Sequence, residues 1–278
     1  MIAPKRTLVI VAFTTLMGCS PSPSLPATMP QASTHPLRLY STSAVLPLVT
    51  DLTATYGDLN VTFETRTANF RAALNSLLLE GNDSPYLITT HLPPPESVAV
   101  RLWAAPLAQD GIAVIVNPAN PLRNLTLDQL RAVYQGRHPA WRALGGGDDP
   151  LVVFSQEDGS DTRAEFERLV MGQRRVTLGA RLVTSSAAML EAVAATPGGI
   201  GYVSLAALDT RVRALTLDGI APTQANVAQQ LYPLRSTVFA VGLAEPAGAY
   251  RAFFGWVQSP AGQAVVAQHY AALAAGTP

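Results

Sequence analysis

Short apolar runs alternate with amphipathic stretches of helical period along most of this 278-residue chain, and no other feature restricts its fold as much. Strands are predicted at 37–40, 60–64, 86–89, 111–116, 151–155, 201–204 and 237–243. Helices are predicted between them at 44–56, 69–80, 126–136, 162–171 and 185–195, with two more at 247–257 and 260–273 closing the chain. Strands separated by helices imply α/β architecture with largely parallel sheets. Punctuation supports these boundaries: Pro93-Pro94-Pro95 and Asn117-Pro118-Ala119-Asn120-Pro121 force breaks, and Thr126-Leu127-Asp128-Gln129 has the form of a capping box. No internal repeat is evident.

The length suits one large domain or two ordinary ones. Hydrophobic residues make up 48% of the chain, enough for substantial cores, and only 14% are charged. The formal net charge is zero, which argues against a nucleic-acid binder, since these carry a clustered basic face. It also means that any anion site must be built locally. Lys5 is the only lysine, so the basic residues are otherwise arginine.

The N-terminus has the form of a secretory signal. Lys5 and Arg6 precede an apolar stretch from Thr7 to Met17 that is too short to span a bilayer comfortably. Leu16-Met17-Gly18-Cys19 resembles the bacterial lipobox, in which the signal is cut away and the cysteine is lipidated. Cys19 is the only cysteine, so a disulfide within the chain is excluded. Residues 1–18 are therefore read as a lipoprotein signal and 19–36, rich in Pro and Ser, as an extended tether. Loss of Lys5 and Arg6 would leave the mature part slightly acidic. The alternative is a secreted protein whose lone cysteine is incidental.

Enzyme motifs are lacking. There is no G-x-S-x-G elbow, no H-E-x-x-H, and no metal-like spacing among His35, His91, His138 and His269. Gly145-Gly146-Gly147 has no following Lys-Ser/Thr and is not a phosphate loop. The chain is read as a binding protein, not an enzyme, with no cofactor or metal.

The middle of the chain carries a family resemblance. Leu125-Thr126-Leu127-Asp128-Gln129-Leu130 with Tyr134-Gln135-Gly136, Trp141 with Leu144-Gly145-Gly146, Glu157-Asp158-Gly159-Ser160-Asp161-Thr162-Arg163, Pro197 to Val203, Tyr232-Pro233-Leu234-Arg235, and Phe254 to Val266 keep the order and spacing of phosphate-binding proteins of ABC transporters. That family is the phosphate-binding branch of the type II periplasmic-binding-protein group. The resemblance implies two α/β lobes joined by two crossover strands, near 113–117 and 233–241. Lobe 1 would comprise 37–113 and 238–278, and lobe 2 would comprise 114–237. It also implies a monomeric, lipid-anchored, extracytoplasmic receptor that closes on a small oxyanion, most simply phosphate, and presents it to an ABC permease.

Ser41-Thr42-Ser43 and Gly159-Ser160-Asp161-Thr162 each stand at a strand-to-helix junction. There, helix N–H groups and hydroxyls offer neutral donors to an anion, although each turn alone could be a plain helix cap. Within the family frame, Thr42, Ser43, Ser160 and Thr162 become candidate ligand donors. Thr67, Thr90, His91 and Gln156 are weaker candidates. Departures from the family pattern fall at these same positions. Ala44 replaces a hydroxyl residue, Gln156 replaces an arginine, and Asp161 replaces a glycine. An Asp161 aimed into the cleft would weaken phosphate binding; as a helix cap it would point away. Arg66 with Thr67 could restore charge and hydroxyl or could face solvent. Two further readings stay open: the same fold with another oxyanion or a small polar or cationic solute, and a surface lipoprotein used as a sensor or adhesion module.

Overall fold

The computed structural model describes residues 36–80 and 85–273. The signal, Cys19 and the tether as far as His35 lie outside the described residues.

The first part of the chain forms β1 (Leu37–Ser41), α1 (Leu46–Thr55), β2 (Phe63–Thr67), α2 (Phe70–Glu80) and β3 (Tyr86–Thr89). β1 pairs in parallel with β2 on one side and with β3 on the other. All four residues of β3 are buried, which is why it reads as an unbroken apolar run. β2 is half-exposed and forms the edge of the sheet. It begins three residues later than the sequence predicts. The Asp58 carboxylate accepts from the Asn60 N–H at 3.0 Å and its carbonyl accepts from the Val61 N–H at 3.1 Å, which closes a turn and keeps Asn60 out of the strand.

β4 (Trp103–Val116) is far longer than the predicted 111–116. Its first part pairs with the late strand β11, and Ile112–Val116 pairs with β8, so a single strand runs from one half of the sheet into the other. Pro106 is tolerated because the β4–β11 register slips at Val238/Phe239, a bulge that also passes over Leu107.

The middle of the chain supplies β5 (Asn124–Leu125), α3 (Leu127–Tyr134), β6 (Val152–Gln156), α4 (Asp161–Phe166), β7 (Arg181–Val183), α5 (Ser186–Ala194), β8 (Gly199–Ser204), the two-residue strands β9 (Arg213–Ala214) and β10 (Thr216–Leu217), and α6 (Gln224–Ala228). α4 runs on into a π-helical turn, Glu167–Met171. The capping box forms: Thr126 Oγ1 accepts from Gln129 N at 3.1 Å, and Gln129 Oε1 accepts from Thr126 N at 2.8 Å. β11 (Arg235–Gly242) returns to the first half, followed by α7 (Gly248–Gln258) and α8 (Pro260–Val266). α8 stops short of the predicted 273 because Gln109 and Ala271 exchange backbone hydrogen bonds of 2.8 and 2.9 Å, pulling the chain onto β4.

The strand order is β2-β1-β3-β11-β4-β8-β6-β7. The outer pairs are parallel, as expected, but the centre is antiparallel, because β4 and β11 carry the chain out and back. Apolar cores lie in both halves. One gathers Leu39, Leu48, Ile88, Val238, Phe253 and Val266. The other gathers Val114, Leu130, Trp141, Phe166, Ile200 and Tyr202. In the second, the Phe166 and Tyr202 rings stack at 4.0 Å. This is the two-lobed α/β fold, with β4 and β11 as the crossover strands.

Candidate ligand-binding cleft

β1, β2, β6 and β7 each end in a turn that leads into a helix, and these four turns meet. Ligands in open α/β sheets sit at such carboxyl ends of strands. A cavity of about 230 Å³ lies there, walled by Thr42, Ser43, Thr67, Ala68, Asn69, Gln156, Glu157, Ser160, Asp161, Thr184 and Ser185. α2 and α5 start at this wall, just after Asn69 and Ser185, so the positive ends of two helices of eleven and nine residues lie at one space. Ser160 caps α4 by accepting from Arg163 N at 3.2 Å, and Ser185 caps α5 by accepting from Ala188 N at 3.1 Å.

Seven of the nine residues singled out from the sequence reach this cleft directly or across its wall. Thr67 Oγ1 lies 2.9 Å from Ser41 Oγ. Gln156 lines the cavity; its side-chain Oε1 accepts from Ser160 Oγ, while its Nε2 is buried with no partner. An orphaned amide donor of this kind fits an acceptor atom of a ligand. The backbone N–H of Gln156 donates to Tyr202 Oη at 3.2 Å, and that oxygen also lies 2.9 Å from Ser155 Oγ. Burial pushes the Tyr202 hydroxyl up to about 12, so it stays neutral and holds the end of β6 in place.

Asp161 is not turned away as a helix cap. Its Oδ1 accepts from Thr162 N at 2.9 Å, but Oδ2 crosses to the opposite lobe. There it accepts from Thr42 Oγ1 at 2.6 Å, Thr90 Oγ1 at 3.0 Å, Thr90 N at 3.1 Å and Thr89 Oγ1 at 3.2 Å. All four residues are at most 4% exposed. Thr89 was missed in the sequence reading, because only the fold brings it within reach of a residue 72 positions away.

His91 and Thr162 fall elsewhere. His91 lines a neighbouring groove of about 500 Å³ with Phe70, Arg71, Leu74, Pro93 and Arg163. Its Nδ1 lies 2.7 Å from Glu165 Oε1, and its ring meets Phe70 edge-on. Burial works against the Glu165 carboxylate, but hydrogen bonds from His91 and Arg168 outweigh it and hold its pKa below the ordinary range. Thr162 Oγ1 is buried without a partner and lines neither cavity. Arg66 does not restore a cation: it pairs with Glu64 at 2.6 Å and is exposed. Arg163 stays within its own lobe, donating to the Gln156 carbonyl at 3.0 Å and to Glu167 at 2.8 Å. Among the described residues the smaller cavity is walled by two carboxylates, Glu157 and Asp161, and by no Arg, Lys or His.

Further contacts join the two walls. Asn69 Nδ2 donates to Glu157 at 3.1 Å, Arg71 pairs with Asp158 at 2.9 Å, and Arg71 N donates to the Gly159 carbonyl at 3.2 Å. Neither Asn69 nor Glu157 was singled out from the sequence. The Asn before a predicted helix was the available sign, since Asn69 Oδ1 caps α2 by accepting from Ala72 N at 2.9 Å.

Comparison with known proteins agrees with this fold. The phosphate-binding protein PstS of Bacillus subtilis is 31% identical over 150 residues, covering 54% of this chain and 50% of the relative. PstS 2 of Streptococcus pneumoniae serotype 4 is 29% identical over 124 residues, covering 42% and 43%. The chain thus spans about half the length, or less, of these curated relatives. A structure from Clostridium perfringens, described as a phosphate ABC transporter substrate-binding protein with bound phosphate, superposes with a TM-score of 0.80 at 27% identity. It covers 86% of this chain and all of that one. An ABC-type phosphate transport receptor from Vibrio cholerae shares the fold with a TM-score of 0.71 at 23% identity, covering 86% of this chain and all of that one. The family described as the PBP superfamily domain matches residues 27–261, and the chain belongs to it.

Proposed function

We propose that this chain is the extracytoplasmic solute-binding protein of an ABC importer and that it binds an oxyanion, phosphate, in the cleft between its lobes. The carrying observation is the convergence of neutral polar residues from both lobes on one cavity, Ser43 and Thr67 from lobe 1 and Gln156, Ser160 and Ser185 from lobe 2. Hydroxyls, amides and helix starts can hold a small anion without a net positive charge. Binding without catalysis suits the family. In this reading lobe 1 is 37–113 with 238–278, lobe 2 is 114–237, and β4 and β11 are the hinge. The protein acts as a monomer, and its closed form is what an ABC permease recognises.

Among the described residues no helix is long and apolar enough to cross a membrane. Attachment through a lipid on Cys19 is the companion proposal. Replacing Cys19→Ser is expected to move the protein from the membrane fraction to the soluble fraction; unchanged partition refutes the anchor.

Titration calorimetry with phosphate, sulfate, molybdate and an amino-acid panel tests the ligand. Phosphate is expected to give a one-to-one isotherm. Silence with phosphate beside a clear signal for another solute would overturn the reading. The second reading, a different small polar or cationic solute, is favoured by Glu157 and Asp161 at the wall with no Arg, Lys or His beside them. No binding by any solute would favour a sensor or adhesion role.

A further inference from the structure

Four donors of lobe 1 converge on a single atom of lobe 2. Thr42 Oγ1, Thr89 Oγ1, Thr90 N and Thr90 Oγ1 lie 2.6 to 3.2 Å from Asp161 Oδ2. They come from two separate elements, the β1–α1 turn and the end of β3. The other polar contacts across the cleft run the same way: lobe 1 offers donors, and lobe 2 offers acceptors, the Gly159 carbonyl and three carboxylates. Asn69 meets Glu157, Arg71 meets Asp158, and His91 meets Glu165. Of the four carboxylates only Asp161 is nearly sealed from water together with all of its donors, and only it takes four cross-lobe bonds on one oxygen, where each of the others takes one. Carboxylate-to-hydroxyl and carboxylate-to-amide bonds in a sealed site are the strong kind. A cluster of hydroxyls and one N–H about a single oxygen is also what a bound oxyanion would use.

We infer that Asp161 is an internal ligand: its carboxylate fills the donor cradle of lobe 1, draws the lobes together, and competes there with an incoming oxyanion. The competition rests on the proposed function; the cross-lobe clasp does not. Asp161 would then set the affinity of the receptor. The cavity beside it, with Gln156, Ser43 and Ser185, remains as the space a solute enters first. A solute oxygen gains the lobe 1 cradle only by displacing the carboxylate.

Two variants probe the clasp from its two sides, Asp161→Ala in lobe 2 and Thr42→Val in lobe 1. Amide hydrogen exchange at Thr90 in phosphate-free protein reports whether its N–H is held, and calorimetry with inorganic phosphate reports the competition. In Asp161→Ala the Thr90 amide is expected to exchange at least about tenfold faster, and phosphate to bind at least about tenfold more tightly, the scale set by one lost charge-assisted hydrogen bond. Thr42→Val should likewise speed Thr90 exchange. Unchanged Thr90 exchange in both variants overturns the clasp. Weaker phosphate binding by Asp161→Ala overturns the competition and makes Asp161 a ligand contact. Faster exchange with no phosphate binding by wild type or Asp161→Ala supports the clasp and refutes phosphate as the solute.

Discussion

Asp110 is a carboxylate sealed inside the strand that joins the lobes. Its Oδ2 accepts from Ser204 Oγ at 2.6 Å and its Oδ1 from Gly111 N at 2.7 Å. Burial raises its pKa from 3.8 to about 7, against those two hydrogen bonds, and the Asp161 charge adds to the rise. The folded state therefore holds this proton more tightly than the unfolded chain does. The stabilisation is complete below pH 3.8 and is lost as pH climbs through about 7. Asp110→Asn is expected to flatten that part of the pH profile, read as urea midpoints across the interval; a slope equal to that of wild type would refute the assignment. Asp110 carries no sequence sign, because its partner Ser204 is 94 positions away. The same holds for Asp161. Its identity as a departure from the family pattern was legible, but the side to which it points was not. Thr42 and Ser160 could be found because hydroxyls before a helix announce their own geometry.

Elements were legible where their cause is local. The capping box of α3 and the apolar run of β3 lie where the sequence places them. β7 and α6 were missed, being short and exposed or weakly patterned, and β4 was underestimated because its first residues are held by β11. Close packing between elements is sharpest at Gly198, beside the start of β8. A Cβ there would lie 1.9 Å from the Pro150 carbonyl oxygen. The Gly198 carbonyl also accepts from Trp141 Nε1 and from Val152 N, each at 2.9 Å. Gly198→Ala must push backbone against backbone, so a loss of about 1–3 kcal/mol is expected, read from the denaturant midpoint. Full stability in that variant would show that the loop before β6 yields freely.

For the whole molecule, the order of motifs along the chain made the two-lobed design legible, since they follow one another from the start of α3 to the end of α8. Which side chains bridge the cleft was not readable, because Asp161 with Thr90, His91 with Glu165 and Asn69 with Glu157 are 71 to 88 residues apart and have no local pattern. One end of the sheet has a consequence of its own. Among the described residues β2 pairs only with β1, so its other side is an edge open to a passing strand. Glu64 and Arg66 stand on this strand as an exposed ion pair. A second copy adding itself at β2 would have to strip water from both charges. The arginine that was a candidate for ligand recognition is thus, with Glu64, the kind of exposed edge charge that discourages pairing between copies crowded together.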